Sequence, residues 1–217
     1  GALTVIAAAN PTIRDQVKFL MLFGGFYDAA NVLRDFGRRA LEADGALQAW
    51  KPNEVPACVL ARSIGDTLPP AEAQVLANAF QKEKFTALTA NQLAQLSAPA
   101  QAAYHLLAGD RPQQVEANLA ALSPAMRARL DQLSPRAFYA QVAAPIYLLH
   151  DRTDQYVPFT ESRDFDAALT KAGRTHDYAE FGIFQHVYVK YSQGLGPVIH
   201  DSWGLFVIMT ELLGPAS

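Results

Sequence analysis

The sequence predicts an α/β fold: a short, mostly parallel sheet interrupted by a large, all-helical insertion. Three observations carry this. Short runs that read as strands lie toward the two ends of the chain, the largely apolar residues 19–23 and 146–150 and the more polar 175–181. Helical spacing separates the last two, as a crossover between parallel strands requires. From residue 32 to about 135 no strand signal stands out, and helix punctuation recurs instead.

Residues 1–31 read as helix then strand. "ALTVIAAA" is rich in helix formers, and Asn10-Pro11 stops it, because proline disfavours helix in the residue before it. Phe19 to Phe23 then forms a continuous apolar run closed by Gly24-Gly25, the pattern of a strand buried on both faces. The opening "GALTVIAAAN" has the apolar and small residues of a signal peptide, but it lacks a basic start and an initiator Met. Gly1 reads as the start of a chain cut from a longer one.

Residues 32–135 read as helices throughout. Leu33, Phe36, Ala40 and Leu41 share one helix face. Pro69-Pro70 opens "AEAQVLANAF", and Asn91 to Leu107 reads as one helix stopped at Gly109. Asp110 is placed to cap "RPQQVEANLAAL", and Ser123-Pro124 to start "AMRARLDQL". The series Leu119, Leu122, Met126, Leu130, Leu133 is helix-on-helix core in this reading. Residues 136–217 return to alternation: strand Ile146–His150, helix Thr160–Ala172 with Thr160 as N-cap, strand 175–181, a loop, and a final amphipathic helix from Val198.

Composition bounds the function. The 217 residues are 50% hydrophobic and 18% charged, enough for one sizeable core or a core with a cap. Net charge is −3 and no basic tract interleaves with aromatics, which argues against a nucleic-acid partner. Cys58, the one cysteine, has no internal disulfide partner and points to a reducing, cytoplasmic setting. No apolar run reaches the length of about 18 residues that a membrane-spanning helix needs. No glycine-rich phosphate loop and no metal-ligand spacing is present, so neither cofactor nor metal is expected.

The chemistry concentrates in "PIYLLHDRTDQYVPF", residues 145–159. Asp154 follows one strand and His186 follows the next. Ends of parallel strands converge on one edge of a sheet, where ligand sites form. There an acid can hold an imidazole in one tautomer and stabilise its cation while the imidazole acts as general base. A turn-forming or surface-paired Asp154 is the plainer alternative, and spacing leaves both open. Asp28 ends the first strand on the same edge and is a second candidate acid. His150 reads as a packed or hydrogen-bonded residue beside the acid turn.

These residues resemble the α/β-hydrolase family. Its common form is a strand followed by His-Gly-x-x-Asp-x-x-Val-Pro, and this chain has His150, Asp151, Asp154, Val157 and Pro158 in those places, with Asp151 where the glycine usually stands. "FGIFQHV" resembles the family's late histidine loop, and Asp154 before His186 follows the family's order of nucleophile, acid, histidine. The resemblance covers residues 1–31 and about 134–217, with the helical middle as a cap. No G-x-S-x-G occurs; "ARSIG" with Ser63 is the nearest variant, and it lies in the helical middle. "GALTVIAAANP" resembles the helix that follows the family's nucleophile elbow, which implies a serine just upstream of Gly1.

The resemblance implies an incomplete α/β-hydrolase fold. It would be the C-terminal part of a serine hydrolase acting on a small-molecule ester or amide, with Asp154 orienting His186 as general base. The chain alone would be inactive. It would self-associate through an open strand edge or stay bound to its N-terminal part. The alternatives are a non-catalytic pseudo-enzyme fragment, or a helical interaction module.

Overall fold

The computed structural model describes residues 1–82, 84–182, 184–185 and 188–189. Contacts divide these residues into two compact units, Gly1–Tyr27 with the residues from Ser134 onward, and Asp28–Leu133. Among the described residues the chain is mixed α/β, with a short parallel sheet of three strands.

The first unit starts with helix α1, Ala2–Ala8, which presents Val5 and Ala8 to the core. Strand β1, Leu20–Phe23, follows. Its faces differ, which corrects the expectation of a strand buried on both sides. Leu20 and Leu22 are buried, whereas Met21 and the preceding Phe19 are each 46% exposed.

The second unit opens on α2, Ala29–Arg38, whose N-cap is Asp28; the carboxylate accepts from the Ala30 N–H at 2.9 Å. Arg39 ends the helix in the left-handed region, φ 49°. The chain then forms a hairpin of β2, Ala40–Ala43, and β3, Ala46–Ala49, antiparallel with Ala43 opposite Ala46. This corrects the expectation of an all-helical middle. Asp44 and Gly45 supply φ values of 55° and 74°, the paired positive φ of a two-residue hairpin turn.

Helix α3, Glu54–Gly65, is capped by the Asn53 side chain on the Val55 N–H. Helix α4, Pro70–Ala79, carries its proline in the first turn. A two-residue pair, β4 Phe80–Gln81 with β5 Lys84–Phe85, is the second strand pairing in this unit. The single helix expected over 91–107 is two: α5, Ala90–Ala94, with a Thr89–Gln92 capping box, and α6, Ala98–Ala108. Helices α7, Val115–Ala121, and α8, Pro124–Leu133, complete the unit, and Ser123 Oγ accepts from the Met126 N–H at 3.2 Å. Asp110 does not cap α7; its carboxylate takes His105 Nδ1 at 2.9 Å.

The first unit resumes with β6, Ile146–Asp151, α9, Thr160–Lys171, and β7, His176–Phe181, then the short antiparallel pair β8, Phe184–Gln185, and β9, Tyr188–Val189. Phe159, not Thr160, is the N-cap of α9. The sheet order is β1-β6-β7, with both pairings parallel. Leu20 lies against Ile146 and Leu22 against Leu148, so their side chains share a face with Val5 and Ala8 of α1 and Phe165 and Leu169 of α9. All eight are buried, and each of them except Ala8 contributes about 1.5–3 kcal/mol when taken from water. The carboxyl ends of the three strands lie on one edge: Phe23 is level with Leu149, and Asp151 with Phe181. The expected helix from Val198 lies outside the described residues.

Candidate active site at the carboxyl edge of the sheet

The central strand β6 delivers His150 and Asp151 to this edge, both fully buried. The turn that follows is built by its own carboxylates. Asp151 Oδ1 accepts from the Thr153 N–H at 2.6 Å and from its hydroxyl at 2.8 Å. Asp151 Oδ2 is buried without a hydrogen-bond partner among the described residues. The Asp154 N–H donates to the Asp151 carbonyl at 3.1 Å. Asp154 is 3% exposed, and its Oδ1 accepts from the Tyr156 N–H at 2.6 Å and the Val157 N–H at 3.2 Å. Short polar side chains that bond to backbone two or three residues ahead make such turns.

Asp154 Oδ2 faces His150 Nε2 at 3.5 Å. The same Nε2 lies 3.2 Å from the Val157 carbonyl, and Nδ1 lies 2.6 Å from Ser162 Oγ in the first turn of α9. Ser162 Oγ in turn sits 3.4 Å from the Gly25 carbonyl, beyond the end of β1. Beside Ser162, buried Glu161 accepts the Tyr27 N–H on Oε2 at 2.9 Å. Gly25 also meets Gly1, where a Cβ would come 3.0 Å from Gly25 Cα. The acid turn, the Gly24-Gly25 turn and the N-terminus of α1 therefore share the carboxyl edge.

Ser162, His150 and Asp154 form a serine–histidine–aspartate line, but its burial closes it to attack on a substrate carbonyl. The three residues are 2%, 0% and 3% exposed. The imidazole bridges serine through Nδ1 and acid through Nε2, and backbone carbonyls occupy the remaining approaches. The line links the acid turn to the first turn of α9.

A second polar group lines β7. Arg163 donates to both oxygens of Glu180, the Nη2 bond being 2.9 Å, and Tyr178 donates to the same carboxylate. Burial alone would push the Glu180 carboxyl up; the bonds from Arg163 and Tyr178 and the charges of Arg163 and Arg152 outweigh it and hold the carboxyl below its ordinary value. Burial first, then the adjoining carboxylate, push the Tyr178 phenol up.

Of the residues singled out in the sequence, Asp154 stands in the turn three residues beyond the carboxyl end of β6, and His186 lies outside the described residues. Asp28 caps α2 through Oδ1. Ser63 is inside α3, not on a strand-to-helix turn, so it lacks the elbow a nucleophile of this kind needs. Sequence reasoning missed Ser162 and Glu161. Their signal was present: they precede Phe165 by three and four residues, so two polar side chains fall on the apolar face of α9. In the other unit, a groove of about 510 Å³ between α3 and α4 is lined by Arg62, Asp66, Leu68, Pro70 and Ala73, and Arg129 pairs with Asp66 at 3.3 Å. Among the described residues no three His, Cys, Asp or Glu side chains gather as a metal site, and no helix is long and apolar enough to cross a membrane. Comparison with family models, curated proteins and solved structures yields no match for this chain.

Proposed function

We propose that the chain supplies the acid and the histidine of a serine hydrolase with an α/β-hydrolase fold, acting on ester or amide bonds. Asp154 orients His186, His186 deprotonates the nucleophilic serine, and an acyl-enzyme forms and is hydrolysed. The serine belongs to residues encoded just before Gly1, on the turn that would enter α1. One observation carries the reading: a buried carboxylate at the end of a central parallel strand, on the edge where Gly1 meets Gly25. An acid fixed by two backbone N–H groups keeps one oxygen orientation, which orienting an imidazole requires. One oxyanion donor would follow the nucleophile directly.

A non-catalytic relative is the second reading. It is favoured by the way the turn's own N–H groups and His150 already engage both oxygens of Asp154. Labelling with a fluorophosphonate probe separates the two. Protein that carries the upstream-encoded residues should label at one serine, and His186→Ala should abolish it. No labelling of that protein, or labelling indifferent to His186→Ala, favours the pseudo-enzyme.

A further inference from the structure

His150 has partners on both ring nitrogens, which leaves its proton few places to go. At Nε2 both neighbours, the Val157 carbonyl at 3.2 Å and Asp154 Oδ2 at 3.5 Å, can only accept. A neutral ring therefore donates from Nε2, and Nδ1 accepts a hydrogen bond from the Ser162 hydroxyl across 2.6 Å, in preference to the longer 3.4 Å contact of that hydroxyl with the Gly25 carbonyl. Val157 is consequently held at both ends. Its N–H donates to Asp154 Oδ1 at 3.2 Å and its carbonyl accepts from His150. Asp154, Val157 and His150 close a ring of contacts, and Ser162 ties that ring to α9.

We propose that His150 is a positioning residue for Asp154, acting through the Val157 backbone to clamp the acid turn against β6 and α9. The role rests on the hydrolase reading, in which Asp154 must keep one direction toward a catalytic histidine. The pattern that His150, Asp154 and Val157 share with the family fixes their spacing; the ring itself is read from the distances in this chain. A turn freed on this side lets the carboxylate swing, and a displacement of about 1 Å costs on the order of 10²-fold in rate.

Two amide substitutions separate the halves of the imidazole. Glutamine places its amide near the reach of Nε2 and asparagine near that of Nδ1. In the protein with its upstream residues, His150→Gln should keep the maximal fluorophosphonate labelling rate within about threefold, whereas His150→Asn should lower it on the order of 10²-fold. The half-saturating probe concentration should be unchanged in both, and the two unfolding temperatures should fall together. Equal rates in the two variants, or rates that simply follow unfolding temperature, overturn the role. A second arm does not need activity. Nitrogen-15 spectra of histidine-labelled wild-type chain should show His150 as the Nε2–H tautomer, with its signal displaced in Asp154→Asn; an Nδ1–H tautomer overturns the proposal. Labelling indifferent to His186→Ala would sink the hydrolase reading, and the spectra would still decide whether His150 holds the turn.

Discussion

Replacing Asp154 tests the acid turn most directly, because its two oxygens have separable duties. In Asp154→Ala the Tyr156 and Val157 N–H groups lose their acceptor and His150 Nε2 loses one of two. Hydrogen bonds to a charged group contribute about 1.5–3 kcal/mol each when buried. Tyr156 and Val157 are only half-buried, so water can replace part of this. The lower end applies, and the two bonds together give a loss of about 3 kcal/mol. For a chain of this size that lowers Tm by roughly 6–12 °C. Asp154→Asn keeps an oxygen for the two N–H groups but turns an NH₂ toward the His150 Nε2–H, and should cost about 1–2 kcal/mol. Urea unfolding at pH 7, with m-values compared to show that the unfolded state is unchanged, reads both numbers. In an active protein, the asparagine variant should also lose about 10⁴ in kcat, far more than its small stability change explains. An alanine variant within about 0.5 kcal/mol of wild type, the ordinary spread of surface substitutions, would refute the turn geometry.

Three further outcomes follow from other features. Arg163→Gln should cost about 1 kcal/mol at pH 7. Because the Glu180 carboxyl is held low in the folded chain, its contribution is complete above the unfolded value of about 4.3 and is lost as pH falls through the folded one. The gap between wild type and Arg163→Gln should thus narrow below about pH 4, and a gap that widens there would contradict the assignment. Gly109→Ala places a Cβ 2.8 Å from the Phe36 carbonyl and 2.3 Å from Arg39 Nε at φ +62°, and should cost about 2–3 kcal/mol; Gly45→Ala at φ +74° meets nothing within 4 Å and should cost about 1 kcal/mol by calorimetry. If β1 is an open edge, as it is among the described residues, apparent mass by light scattering should rise with concentration, and Met21→Lys, at a position 46% exposed, should suppress the rise; a constant monomer mass would refute this.

The sheet was legible because β1 and β6 open on short apolar runs, because Gly173 and Gly182 bracket the more polar β7, and because a helix between β6 and β7 demands parallel pairing. The hairpin β2–β3 was not, although Asp44-Gly45 is a strong hairpin signal. Its strands read ALEA and ALQA, built from helix formers that extend the periodicity of α2, and the left-handed Arg39 that interrupts them leaves no mark in composition. What holds that break is tertiary: the Arg39 guanidinium donates to the Leu107 and Ala108 carbonyls at the end of α6 and lies over Phe36. The break before α6 was similarly hidden, since Ser97 and Pro99 sit inside an alanine-rich stretch. At the edge of the sheet, Asp154 was legible from its strand–turn pattern. His150 was legible as a packed, hydrogen-bonded residue beside that turn, but its partners and the part of Ser162 were not, because periodicity shows which faces are buried and says nothing about which polar atoms meet there.

The Tyr27 carbonyl accepts the Arg136 N–H at 3.1 Å, so the chain leaves the first unit and re-enters it at adjacent points. That places a time order on biogenesis. A ribosome adding about 5–20 residues per second makes β1 roughly 6–25 s before β6, its only partner among the described residues. Pairing across an unstructured loop of about 100 residues would carry roughly 4 kcal/mol of closure entropy. The Asp28–Leu133 segment is continuous and can complete its own contacts during that interval, shortening the effective loop before β6 emerges. Until then β1 is a nascent strand without its β6 partner, with Phe19 and Met21 uncovered, and a synonymous change that slows translation between the two strands would lengthen its exposure.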